Sequence, residues 1–176
     1  GLSGVVDYEP GALTMVAKTG TTLHQIEEVL KAEGQQLAFE PTILNTALGT
    51  SGASTIGGVF ATNASGPRRI QAGAARDFLL GVRYVDGHGN VIKNGGRVMK
   101  NVTGYDIVKL MAGSWGTLGL LSEVSFKVLP MPASQATLFI SGINADIAVD
   151  VLIASLNTAF DANRVAYDIA AQCAHV

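Results

Sequence analysis

Residues 54–66 read STIGGVFATNASG, a Gly/Ser/Thr loop running into a short apolar segment. Glycine lacks a Cβ, so Gly57 and Gly58 let backbone come close to whatever lies beside it. Ser54 or Thr55 can cap a short helix whose start favours negative charge, and pyrophosphate is then a natural guest. The same two glycines equally suit a helix packed tightly on a sheet, and the loop alone leaves both readings open. Upstream, Gly49-Thr50-Ser51-Gly52-Ala53 extends the loop. Downstream, Thr62-Asn63-Ala64-Ser65-Gly66 offers two hydroxyls and an amide, enough for the polar edge of a ring or for an ordinary turn.

A second glycine segment follows at GSWGTLGLL, Gly113 to Leu121, where glycine recurs every third residue just before a β-prone run. That spacing specifies a ribbon almost free of side chains, able to lie against a flat ligand, with Thr117 as its polar handle. Trp115 is a stacking face or a core residue, and the core is the expected place. Of 21 glycines, 15 lie between Gly49 and Gly119 and only Gly142 follows, so the chain changes character after Gly119.

Around these segments the elements alternate in type. Gly4–Tyr8 and Leu13–Lys18 flank Glu9-Pro10-Gly11 and predict a hairpin. Thr22 and Gln25 form a capping-box pattern, and Leu23, Ile26, Val29 and Leu30 share one face of a helix that Gly34 ends. His24, Glu27, Glu28 and Lys31 take the opposite face. Strands are expected at Asp77–Val85 and Val91–Asn94 about the turn Asp86–Asn90, and again at Leu120–Leu129. Pro130-Met131-Pro132 reads as a stiff link to a second domain, 131–176, with a strand at Thr137–Ser141, a helix at Ile147–Phe160 and a strand starting near Val165.

The chain has 176 residues, 48% hydrophobic and 15% charged, with a net charge of -2. That suffices for one sizeable core and leaves no basic stripe for nucleic acid or an anionic membrane. The longest uncharged stretch, Pro41 to Pro67, is too rich in Gly, Ser, Thr and Asn to span lipid, so direct membrane insertion is not expected. A single cysteine, Cys173, and no leader pattern point to a reducing cytoplasm, with a partly buried thiol. The start at Gly1 without Met and the stop at Val176 lead us to expect a piece of a longer chain. The sequons at Asn63 and Asn101 are discounted.

Other chemistries lack their signatures. No G-x-G-x-x-G or Walker A sequence occurs, and His24, His88 and His175 are scattered, so a Rossmann site and a metal centre are not expected and each His is assigned to the surface. Arg68, Arg69 and Arg76 form a small cationic group beside Asn63–Gly66, assigned to a solvated loop, with Arg76 the member best placed to meet a phosphate or a partner.

Taken in order, Glu40-Pro41, STIGGVFATNASG, Arg76-Asp77 and KNVTGYDIVKLMAGSWGTLGLLSEVSFKVLP from Lys100 to Pro130 resemble the vanillyl-alcohol-oxidase-type (PCMH-type) FAD-binding family. The resemblance covers Gly1 to Pro130, and the segments are most similar to flavin subunits of bacterial glycolate oxidases. It implies an α+β fold: residues 1–130 as the second subdomain of the FAD-binding domain, antiparallel sheet with flanking helices, without the first subdomain. Residues 131–176 would begin a cap domain. It also implies FAD, expected to be non-covalent because His24, His88 and Cys173 stand in none of the matching segments, although attachment through His or Cys occurs in the family. The cofactor-facing positions would be Pro41, then Thr50, Ser51, Gly52, Ser54, Thr55, Gly57 and Gly58, then Thr62, Asn63, Ala64, Ser65 and Gly66. The run Trp115–Leu121 completes them through Gly116, Thr117, Gly119, Leu120 and Leu121. Most contacts would be backbone, with Ser54, Thr62, Asn63, Ser65 and Thr117 giving side-chain bonds.

The implied activity is oxidation of a small 2-hydroxy acid, glycolate to glyoxylate, by hydride transfer to flavin. The implied setting is a cytoplasmic complex with a second flavin subunit and an iron–sulfur subunit, reaching a membrane only through those partners. The alternative is a non-catalytic electron-transfer or assembly subunit of the same type of complex. No catalytic residue is assigned within these residues.

Overall fold

The computed structural model describes residues 1–43, 45–96, 105–160 and 162–176. Of the segments carrying the resemblance, Lys100–Gly104 lies outside the described residues. Glu9-Pro10-Gly11 turns the chain as expected: β1 (Val5–Glu9) and β2 (Thr14–Lys18) pair antiparallel across a 3-10 turn at Pro10–Ala12. Thr22 and Gln25 form both halves of the capping box that starts α1 (Leu23–Ala32), satisfying amides that a helix start otherwise leaves free. Leu23, Ile26 and Leu30 are buried, whereas Val29, at the edge of the apolar stripe, remains 36% exposed.

Next come β3 (Gln35–Gln36), α2 (Asn45–Leu48), α3 (Ile56–Thr62), α4 (Arg69–Ala72), α5 (Ala75–Phe78), β4 (Leu79–Val85), β5 (Val91–Gly95), α6 (Ile107–Met111), β6 (Leu120–Lys127) and β7 (Leu129–Pro130). The expected strand from Asp77 therefore starts at Leu79, because the residues before it close a single helical turn. The strand expected to reach Leu129 stops at Lys127. The sheet order is β1-β2-β6-β4-β5, every pair antiparallel. Short-loop neighbours pair at both edges, and β6 enters last, between the two hairpins.

The core lies between this sheet and the helices. Phe39, Phe60, Phe78 and Phe126 form a chain of tilted rings with centroids 5.2–5.9 Å apart, joining a loop, α3, α5 and β6. Met15 and Ala17 of β2 and Val124 of β6 are buried in the same cluster as Leu23, Ile26 and Leu30 of α1.

The Pro130 segment is more than a link. β7 pairs with β3, Gln35 opposite Pro130, and the Met131 amide donates to Gly34 O at 2.7 Å. Beyond it, β8 (Phe139–Ser141), α7 (Ala145–Leu156), β9 (Ala166–Asp168) and β10 (Cys173–His175) form a three-stranded sheet, order β8-β10-β9, with one helix. Asn144 caps α7, so the helix starts two residues before the expected Ile147 and ends short of Phe160. Cys173 is buried, 7% exposed, rather than partly so, its Sγ 3.4 Å from Ser141 Oγ. His24 and His88 are exposed, but His175 is half-buried, edge-on to the Phe139 ring. No helix among the described residues is long and apolar enough to cross a membrane.

Candidate functional site

Thr55 caps α3, its Oγ1 accepting the Gly58 N–H at 3.3 Å, while Ser54 Oγ turns back to Asn45 Oδ1. The amides of Ile56 and Gly57 donate at 2.9 Å to the carbonyls of Thr21 and Thr19. The first amides of this helix thus have protein partners already, so the loop does not leave a bare helix start for an anion. Between the two readings of its glycines the structure divides. A Cβ on Gly57 would lie 2.7 Å from the Thr19 carbonyl oxygen, so Gly57 is a packing glycine. A Cβ on Gly58 would meet nothing closer than Thr55 Oγ1 at 3.5 Å.

At its other end α3 receives the second glycine segment. Asn63 ends the helix at φ 55°, and the amides of Gly113 and Trp115 donate to the carbonyls of Phe60 and Ala61 at 3.0 and 2.9 Å. These bonds cap carbonyls that a helix end leaves free and join the two segments. Gly113, Gly116 and Gly119 all take positive φ, 81°, 76° and 154°, which explains why glycine stands at each. A Cβ at Gly119 would press on the Val85 carbonyl, whereas one at Gly116 would meet nothing within 4 Å.

Between them opens a cleft of about 350 Å³ whose wall includes Thr55, Gly57, Gly58 and Ala61 from one segment and Gly116, Gly119, Leu120 and Leu121 from the other. Leu120 is exposed and Leu121 buried. Trp115, expected in the core, is 71% exposed: its backbone is tied to α3 in a left-handed conformation that turns the side chain outward. Beyond Gly58 a smaller groove of about 140 Å³ is lined by Thr42, Ser54, Thr55, Thr62 and Ala64.

Other positions do different work. Asn63 Oδ1 accepts the Arg76 N–H and Ser65 Oγ the Ala75 N–H, both at 2.8 Å, while Asp77 Oδ2 accepts the Ala74 N–H at 2.8 Å. Lys109 Nζ donates to Arg76 O at 2.5 Å and Leu79 O at 3.1 Å. One helical turn, α5, is held at both ends by distant side chains. Burial pushes the Lys109 amine below its ordinary range, against the pull of Asp106 and Asp77. Sequence reasoning missed Lys109, and its place amid apolar Ile107, Val108 and Met111 was the available signal.

The side-chain bonds expected from Thr62 and Thr117 also run inward, to Gly58 O at 2.8 Å and Ser114 O at 2.6 Å. Pro41 lines a separate cleft with Glu27, Lys31 and Gln36. Thr50, Ser51 and Gly52 lie exposed, their loop folded back on Asn45 through Thr50 N and Gly52 O. Gly66 packs on the Glu40 backbone, which a Cβ there would overlap. Arg68 leaves the expected solvated loop: its side chain is 11% exposed, 3.8 Å from the Glu40 carboxylate, which also meets Arg164 at 3.4 Å.

Comparison with known proteins places these elements. Residues 1–95 match the family described as FAD binding domain. The chain is 44% identical over 135 residues to "Glycolate oxidase subunit GlcE" of Escherichia coli (strain K12), covering 77% of this chain and 37% of that protein. It is 38% identical over 151 residues to "Glycolate oxidase subunit GlcD" of Bacillus subtilis (strain 168), covering 86% and 31%. A "D-lactate dehydrogenase" of Anaerostipes hadrus is 32% identical over 139 residues, 79% of this chain and 28% of that one. The chain therefore spans between 28% and 37% of these relatives. Among solved structures, an alkyldihydroxyacetonephosphate synthase superposes with a TM-score of 0.63 at 24% identity, over 88% of this chain and 27% of that one, a likeness of fold.

Proposed function

The chain belongs to the FAD binding domain family, and from that premise we propose that its two glycine segments form one wall of a non-covalent FAD site in a glycolate oxidase or dehydrogenase subunit. The observation that carries this is the shared cleft of about 350 Å³, where Gly58 and Gly116 both leave the space beyond their Cα atoms clear of close packing. Such a wall suits a flat, extended group, because backbone can approach it without intervening side chains. Residues 1–130 would be the second subdomain of the FAD-binding domain and 131–176 the opening of a cap, with the rest of the wall supplied by residues outside this chain.

When bound, FAD supplies the acceptor for hydride from the α-carbon of a small 2-hydroxy acid, glycolate giving glyoxylate. This chain's share is to hold and exclude. Gly58 and Gly116 give the approach, Leu120 and Leu121 shield from water, and Thr55 fixes the helix that carries Gly58. The side chains of Asn63 and Ser65 work one step back, by holding α5. The names of the two glycolate oxidase relatives support a multisubunit setting, in which a second flavin subunit and an iron–sulfur subunit receive the electrons. A full-length preparation free of companion subunits tests the assignment: anaerobic glycolate bleaching its flavin makes this subunit the oxidant of glycolate. Flavin that keeps its colour assigns it to electron transfer or assembly.

A further inference from the structure

Trp115 combines three features. It is the sole tryptophan of this chain, it stands at φ 56° where a bulky side chain is strained, and it is 71% exposed. Its backbone is fixed by the hydrogen bond its N–H donates to Ala61 O, and the next turn is tightened by Thr117, whose amide and hydroxyl both donate to Ser114 O. Ala61 and Gly116, its partner and its chain neighbour, both line the cleft between the glycine segments. Beside it, Ser114 Oγ is buried without a hydrogen-bond partner among the described residues, the kind of orphaned group that calls for an explanation. A large ring held in a costly conformation, one residue before the cleft-lining Gly116, is poorly explained by packing within this chain, since most of the indole is not packed.

Resting on the proposed FAD site, we propose that Trp115 is an aromatic platform that stacks a planar heteroaromatic ring of the bound dinucleotide at the rim of this cleft. The glycines on either side make the platform possible, because Gly113 and Gly116 take the positive φ that brings the Trp115 backbone against α3. Stacking between an indole face and a nitrogen heterocycle is tolerant of ring identity, so isoalloxazine and adenine share the required chemistry. This adds an aromatic contact to a segment otherwise expected to act through its backbone and the Thr117 hydroxyl.

The test uses the full-length protein and measures affinities for FAD, riboflavin and ADP by equilibrium dialysis, in wild type, Trp115→Leu and Trp115→Phe. Loss of one stacked ring should weaken FAD binding about tenfold in Trp115→Leu, with most of the affinity kept in Trp115→Phe. A parallel loss for riboflavin identifies the stacked ring as isoalloxazine, and a parallel loss for ADP identifies it as adenine. Should Trp115→Leu fail to fold, Trp115→Met, which keeps apolar volume without a ring, carries the same comparison. Wild type that binds FAD while the ringless variants bind all three probes as well overturns the platform and leaves the FAD site standing. Wild type that binds no FAD removes the site and the platform together.

Discussion

Asn63 Oδ1 accepts the Arg76 backbone N–H at 2.8 Å, so the residue that ends α3 also starts α5. Asn63 does both because it tolerates φ 55° while its short amide reaches across the turn. Replacing it by Gly keeps the conformation and loses the bond, costing about 1 kcal/mol. Replacing it by Ala loses both, costing about 2 kcal/mol. Urea unfolding of the full-length variants should rank them in that order, and equal stabilities would mean that the bond to Arg76 contributes nothing.

Gly57 and Gly58 are neighbours with opposite duties. Gly57→Ala drives a Cβ against the Thr19 backbone and should cost about 1–3 kcal/mol of stability, whatever the ligand. Gly58→Ala finds ordinary contact space and should leave stability unchanged or slightly raised, since alanine favours helix. Gly58→Val extends into the cleft, so flavin affinity should fall in a well-folded protein. Calorimetric unfolding beside a flavin titration separates the two effects.

Glu40 lies between Arg68 and Arg164, and the two arginines are not equivalent. Arg68 is 11% exposed and Arg164 46%. Glu40→Gln strands the buried guanidinium and should cost about 1–3 kcal/mol, below the full price of a wholly buried pair because Glu40 itself is partly solvated. Arg164→Met removes an exposed partner and should cost less than about 1 kcal/mol. A double-mutant cycle between Glu40 and each arginine checks the ranking, and stronger coupling to Arg164 would reverse it.

The β4–β5 turn depends on ionised Asp86, which accepts the amides of His88 and Asn90 at 2.8 and 2.9 Å and the Asn90 side chain at 3.0 Å. These bonds, those from Asn90 first, hold the Asp86 carboxyl below its ordinary 3.8. A depressed carboxyl stabilises the fold fully above the unfolded value and loses that contribution as pH falls through the folded one. Acid titration of the Asp86 carboxyl by NMR should therefore run below 3.8, and Asn90→Ala should move it upward. Titration at or above 3.8 in wild type would contradict these bonds.

What could be foreseen depended on how locally each feature is determined. The Glu9-Pro10-Gly11 turn and the Thr22–Gln25 capping box are set by residues a few positions apart, and both formed as expected. The helical turn α5 did not announce itself, because the bonds that cap it come from 10, 13 and 33 residues away. The glycine segments were legible as places of close backbone approach, but not which glycine packs and which opens. That depends on Thr19 lying behind Gly57, a neighbour brought there by β2. Trp115 shows the limit of composition: its apolarity suggested burial, and the left-handed backbone at that one residue decides otherwise.

The most direct measurement is the flavin content of the full-length protein, purified without companion subunits and compared with its Gly58→Val variant by visible absorbance after reconstitution with FAD. Bound flavin in wild type, with clear loss in an equally well-folded variant, is the expected result. A colourless, well-folded wild type, or a variant that retains flavin as tightly, would contradict the assignment of the two glycine segments to an FAD site.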